Sequence, residues 1–160
     1  SQAYYQGMKI AIFDVTDVSN PLEMFKQVIG DRGTESELLN NPKALLFSRE
    51  KGLLAFPVTV MEIQKPIEDV NNPRLIQHGS FTFQGAYIYD IDLKEGLTLK
   101  GRITHITPEE YLQAGDRWYE GSRNIERIVF IGDNLLTLSR DRVMVNKISN
   151  LEQIKTIDLR

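Results

Sequence analysis

The chain has 160 residues, 41% hydrophobic and 26% charged, the make-up of one ordinary globular domain. It contains no cysteine, which excludes a disulfide framework, thiolate metal sites and cysteine nucleophiles, yet fits the cytosol and secreted proteins without disulfides alike. A formal net charge of −3 argues against nucleic acid as a partner, because phosphate binding needs a basic footprint; no apolar run is long enough for a membrane span, and the opening residues do not read as a signal peptide.

Strand signals dominate. Met8 to Val15 alternates around β-branched and aromatic residues and stops at the turn formers of 16–21; Glu23 to Ile29 follows and ends at Gly30. Lys43 to Ser48 and Leu53 to Val60 are joined by 49–52, whose Gly52 suits a left-handed turn position. Gly85 to Ile91 and Leu97 to Thr104 flank 92–96. The pattern closes with Ile125 to Ile131, Leu135 to Ser139, Arg142 to Ile148 and Glu152 to Leu159, which makes ten strands in series. One short helix is expected between them: Thr107 at the N-cap, Pro108 at the first helical position and Glu110 at the third form a capping box, and Gly115 stops the helix.

The chain also repeats itself. Ile10–Val15 can be laid over Ala86–Ile91 and Val143–Ile148, and Leu46–Leu54 over Val129–Leu136. The repeating unit is four strands. Two complete copies, 43–104 and 125–159, follow half a copy at 8–29. The fold class expected is all-β, in antiparallel four-stranded meanders that amount to about two and a half β-propeller blades in one partial domain over 1–160. Such an assembly does not close a ring, so either the chain is a fragment of a complete propeller or copies associate.

The run Ile12-Phe-Asp-Val-Thr-Asp-Val-Ser-Asn-Pro21, then Val28-Ile-Gly-Asp-Arg-Gly33 and Lys43-Ala-Leu-Leu-Phe47, resembles secreted bacterial proteins with a C-terminal β-propeller distantly related to WD40 repeats. Many members carry a histidine just before the strand that starts here at Lys43; this chain has Pro42 there, and a role for that histidine does not carry over. The resemblance implies a secreted or cell-surface propeller of the bacterial envelope, of which this chain would be the last blades, and no established activity.

In a meander, alternate connections fall on opposite ends of the sheets. The connections 16–21, 49–52, 92–96, 132–134 and 149–151 are short, whereas 30–42, 61–84 and 105–124 are long and emerge together. Long loops on a rigid scaffold are where binding resides. By formal charge these three sum to −5, against −3 for the chain, so the long-loop face is acidic and favours a cation or a basic or hydroxyl-rich partner.

Particular residues on that face are candidates. Trp118 and Tyr119, beside Arg117, are either exposed anchors for a peptide or sugar or plugs that hold the loop on the sheet. His78 and His105, the only histidines, pair as a metal or acid–base site or serve as ordinary hydrogen-bonded groups. Asp31 and Glu35 either offer oxygens to Ca²⁺ or belong to a structural turn. Asp92, which mimics a calcium loop with Asp90, fits a hairpin turn. No G-x-S-x-G elbow and no Gly-rich phosphate loop is present. The expected function is a non-catalytic extracellular binding or scaffold module that engages an envelope protein or polysaccharide. It needs no cofactor, and Ca²⁺ is the one ion with any support. The alternative is a hydrolase or lyase with a site at the propeller centre, completed by blades absent here.

Overall fold

The computed structural model describes residues 6–64, 77–115 and 121–159. Among them ten strands form three antiparallel sheets, each with its strands in chain order. β1 (Met8–Asp14) and β2 (Leu22–Ile29) make the first. β3 (Leu46–Ser48), β4 (Leu53–Glu62), β5 (Ser80–Asp92) and β6 (Gly96–Ile103) make the second, and β7 (Arg127–Ile131), β8 (Asn134–Leu138), β9 (Arg142–Lys147) and β10 (Gln153–Asp158) the third. This is the all-β meander architecture the sequence pattern implies.

The middle sheet is apolar on both sides, and the other two cover it. Because strand side chains alternate between faces, β4 sends Leu54, Phe56, Val58 and Val60 one way and Leu53 and Ala55 the other. On β5, Phe83, Tyr87, Tyr89 and Ile91 join the first group, and Ala86 and Ile88 the second. Met8, Ile10, Ile12 and Ile29 of the first sheet close over the first face; Ile125, Ile128 and Leu135 close over the second. Burying a residue such as Ile88 or Leu135 completely contributes roughly 1.5–3 kcal/mol.

Three local features differ from the sequence reading. First, β4 and β5 run on to Glu62 and Ser80, which are register partners, so part of the expected 61–84 loop is strand. Gly85 reads as a strand start but lies inside β5, where a Cβ would fall 2.1 Å from the Ile103 carbonyl oxygen; only glycine permits that backbone approach. Second, the strand expected from Lys43 begins at Leu46. Residues 42–44 form a single 3-10 turn, because Pro42 occupies its start and the Asn41 side chain accepts the Lys43 N–H at 3.1 Å. Third, β3 pairs only as far as Ala55 of β4, so Pro57 stands where β4 has no β3 neighbour to receive an N–H. Glu35 and Thr59 form a two-way backbone bridge there, and Ser36 Oγ donates to the Pro57 carbonyl.

The expected helix is present as α1 (Pro108–Ala114). Thr107 Oγ1 accepts from the Glu110 N–H, Glu110 accepts from the Thr107 N–H at 2.8 Å, and Gly115 ends the helix at φ +59°. The 92–96 segment is a hairpin turn, as expected, with Asp92 Oδ1 accepting from the Lys94 and Glu95 N–H groups. Those bonds hold the Asp92 carboxyl below the usual carboxylate range.

Candidate functional site

The described parts of the three long connections lie at one end of the sheets and are fastened there by side chains that reach backbone. Between β2 and β3, Gly30 turns at φ +61° and delivers Asp31 to the end of β4. Asp31 donates its N–H to the Met61 carbonyl at 2.6 Å, and its Oδ2 accepts from the Ile63 N–H at 2.7 Å. Thr34, only 2% exposed, accepts the Met61 N–H on its hydroxyl oxygen at 3.0 Å. The Gly79 N–H reaches the Arg32 carbonyl at 2.9 Å, so the segment leading into β5 is tied to the same turn. Asp31 therefore holds a turn, and its Oδ2 already accepts a backbone hydrogen bond. Glu35 projects from the bridge to Thr59 and is exposed.

Between β6 and β7 the fastening is stronger. His105 is 2% exposed; its Nε2 is hydrogen-bonded to Thr137 Oγ1 at 2.8 Å and its Nδ1 to Ser139 Oγ at 3.0 Å. Both ring nitrogens are thus engaged by hydroxyls of the third sheet. Burial, followed by the nearby Arg142 and Arg123 charges, pushes its pKa down to about 4. Gln84, 3% exposed, treats Ile125 as a neighbouring strand would: its Oε1 accepts the Ile125 N–H at 3.1 Å and its Nε2 donates to the Ile125 carbonyl at 3.3 Å. The α1 helix docks through Tyr111, whose ring stacks on Phe81 at 5.5 Å and whose hydroxyl donates to the Gln84 carbonyl.

The structure does not treat the two histidines alike. His105 stands buried between two sheets, while His78 is exposed beside Gly33. Among the described residues no group of three or more His, Asp or Glu is placed to hold a metal ion. Trp118, Tyr119 and Arg117 lie outside the described residues. Where the connections meet, a cavity of about 80 Å³ is lined by Glu37, Thr59, Gln84, Asn124, Glu126 and Arg140. Arg140 is paired with Glu126 at 2.8 Å, and Arg123 with Glu110 at 3.1 Å, whereas Glu35 and Glu37 have no ion-pair partner among the described residues. The acidic character read from the sequence is therefore carried in part by free carboxylates. Sequence reasoning missed Gln84, Thr137 and Ser139. The available signal was a polar residue at an inward position of an otherwise apolar strand.

Two four-stranded antiparallel meanders and a two-stranded hairpin, packed face to face with the described parts of the long connections at one end, define a partial β-propeller. The chain matches, over residues 1–151, the model of the family described as Beta propeller domain, and it belongs to that family. No curated protein and no solved structure matches it. A propeller domain is a general binding or scaffold fold.

Proposed function

We propose that the chain is a non-catalytic binding module that engages a protein with a basic surface through the face formed by the connections that follow β2, β4 and β6. One observation carries the reading. The long connections are fastened to the sheets by buried groups, Thr34, Gln84 and His105, so that Glu35 and Glu37 are presented on a rigid frame. Preorganised side chains lose less freedom on binding than those of free loops. At the opposite end, among the described residues, the connections run from two residues (132–133) to seven (15–21). The resemblance of residues 12–47 to secreted bacterial propellers supports a partner at the cell surface. Among the described residues no helix is long and apolar enough to cross a membrane.

The test is direct binding of the chain to fractionated envelope proteins and, separately, to purified cell-wall polysaccharide. Three variants accompany it: Glu35→Gln with Glu37→Gln, Trp118→Ala with Tyr119→Ala, and Asp133→Asn on the short-turn end. The reading requires saturable binding to a basic protein, weakened by salt and by the first two variants and not by the third. Binding to polysaccharide alone, or binding indifferent to both long-loop variants, overturns it.

A further inference from the structure

Within the long-loop face, the cavity of about 80 Å³ has two kinds of lining. Its buried part consists of Pro57, Val58, Gln84 and Ile125. The polar groups there already have tasks: the Pro57 carbonyl accepts from Ser36 Oγ, and the Gln84 amide oxygen and nitrogen both serve the Ile125 backbone. Val58 and Ile125, 1% and 2% exposed, add aliphatic surface.

The rest of the lining offers oxygens that nothing else uses. Glu37 is exposed and has no ion-pair partner among the described residues. Thr59 is tied to Glu35 through backbone alone, and its hydroxyl makes no hydrogen bond among the described residues. Glu126 gives Oε1 to Arg140 Nε at 2.8 Å, which leaves Oε2 open. Two carboxylates against one guanidinium make the cavity negative. Acceptors without donors, in a negative place, call for a donor that carries positive charge, because such hydrogen bonds are the strong ones.

We propose that this cavity seats the end of a lysine side chain from the basic partner, with Glu37, Thr59 and Glu126 as acceptors for its ammonium. The inference rests on the binding-face reading above and narrows it from a basic surface to a lysine anchor. An ammonium brings three donors and no acceptor, which matches the open oxygens. The aliphatic stem of lysine covers apolar surface while its head stays among polar groups, which matches Val58 and Ile125. Size agrees as well. A water molecule takes roughly 30 Å³, so the space holds an ammonium and the methylenes next to it. Arginine suits the place less. Its planar fork is made for a carboxylate that can receive it in two places, and Glu126 is already engaged by Arg140.

The test titrates the chain with three small probes, the N-acetyl N-methylamides of lysine, arginine and norleucine, and follows backbone amide signals by NMR. The lysine probe should shift the amides of Thr59, Asn124, Ile125 and Glu126 saturably, with a Kd of about 1–10 mM. The arginine probe should bind at least about fivefold more weakly, and norleucine, which has the stem without the charge, should not bind. Glu37→Gln combined with Thr59→Val should weaken the lysine probe about tenfold, while Asp133→Asn leaves it unchanged. Thermal unfolding of the double variant shows that the fold is kept, and Glu37→Gln alone, at an exposed position, should still weaken binding severalfold. No saturable shift from the lysine probe overturns the proposal, and so does equal binding of arginine or norleucine, or binding indifferent to Glu37. If the lysine probe fails while a basic protein still binds and is weakened by Glu35→Gln with Glu37→Gln, the pocket falls and the binding-face reading stands. If the lysine probe binds as expected and no basic envelope protein does, the pocket stands and the wider reading falls.

Discussion

His105 and Thr137 are 32 residues apart in sequence and joined by a 2.8 Å hydrogen bond between the imidazole Nε2 and the threonine hydroxyl. The imidazole is thereby held between the end of the middle sheet and β8, and the Ser139 hydroxyl takes its other nitrogen. A charged imidazole loses on both counts, because it is out of water and because hydroxyl partners do not neutralise it.

Stability should therefore depend on pH in a window set by this one ring. In the unfolded chain the histidine titrates near its ordinary value of 6.5, in the folded chain at about 4. The contribution is complete above the unfolded value. It is lost progressively as pH falls from about 6.5 to about 4, because the unfolded chain takes up the proton and the folded chain does not. The loss amounts to about 3 kcal/mol. Thermal unfolding across pH 4–7 should show it, and His105→Gln should remove the slope. The carboxyls of Glu23 and Asp92, lowered by hydrogen bonds, act in a lower range, below their ordinary values.

Gln84→Leu should cost about 2–3 kcal/mol, since both polar groups of Ile125 lose their partner in a buried place. Gln84→Glu keeps an acceptor for the Ile125 N–H but sets a carboxylate against the Ile125 carbonyl, so it should not rescue. Chemical denaturation of the two variants, with an unchanged m-value, checks this.

Two glycines should respond unequally to alanine. At Gly85 the new methyl meets the Ile103 carbonyl oxygen at 2.1 Å, and backbone must move. At Gly101 it meets the Leu151 Cδ1 at 2.6 Å, the far end of a flexible side chain. Gly85→Ala should destabilise by about 3 kcal/mol or more, and Gly101→Ala by about 1 kcal/mol. Equal midpoints in thermal unfolding would contradict the strand contacts described.

Thr107→Ala should cost about 1 kcal/mol by removing the side-chain partner of the Glu110 N–H. Amide exchange should quicken within 109–114 and leave β7 to β10 unaffected.

Much of the fold was legible locally. Alternation located the strands, Thr107, Pro108 and Glu110 announced the helix, and the repeat grouped strands into meanders. Those signals lie within a few residues of one another. The strand start at Lys43 and Gly85 were misread. Pro42 opens a 3-10 turn that runs to Ala44 ahead of the strand, and at Gly85 it is a distant carbonyl, that of Ile103, that explains the glycine.

The site was less legible. Sequence placed Asp31, Glu35, His78 and His105 in loops but had no means to tell exposed from buried. The outcome turned on partners far along the chain: Ile63 for Asp31, Thr137 and Ser139 for His105, and the bridge to Thr59 that leaves Glu35 outside. By itself, then, the sequence determined the all-β meanders, the turns and the acidic balance of the long connections, because side-chain alternation, backbone preference and formal charge are local properties. Only the tertiary structure decided which of those loop residues became fastenings and which stayed exposed, because burial and hydrogen-bond satisfaction depend on how the sheets stack.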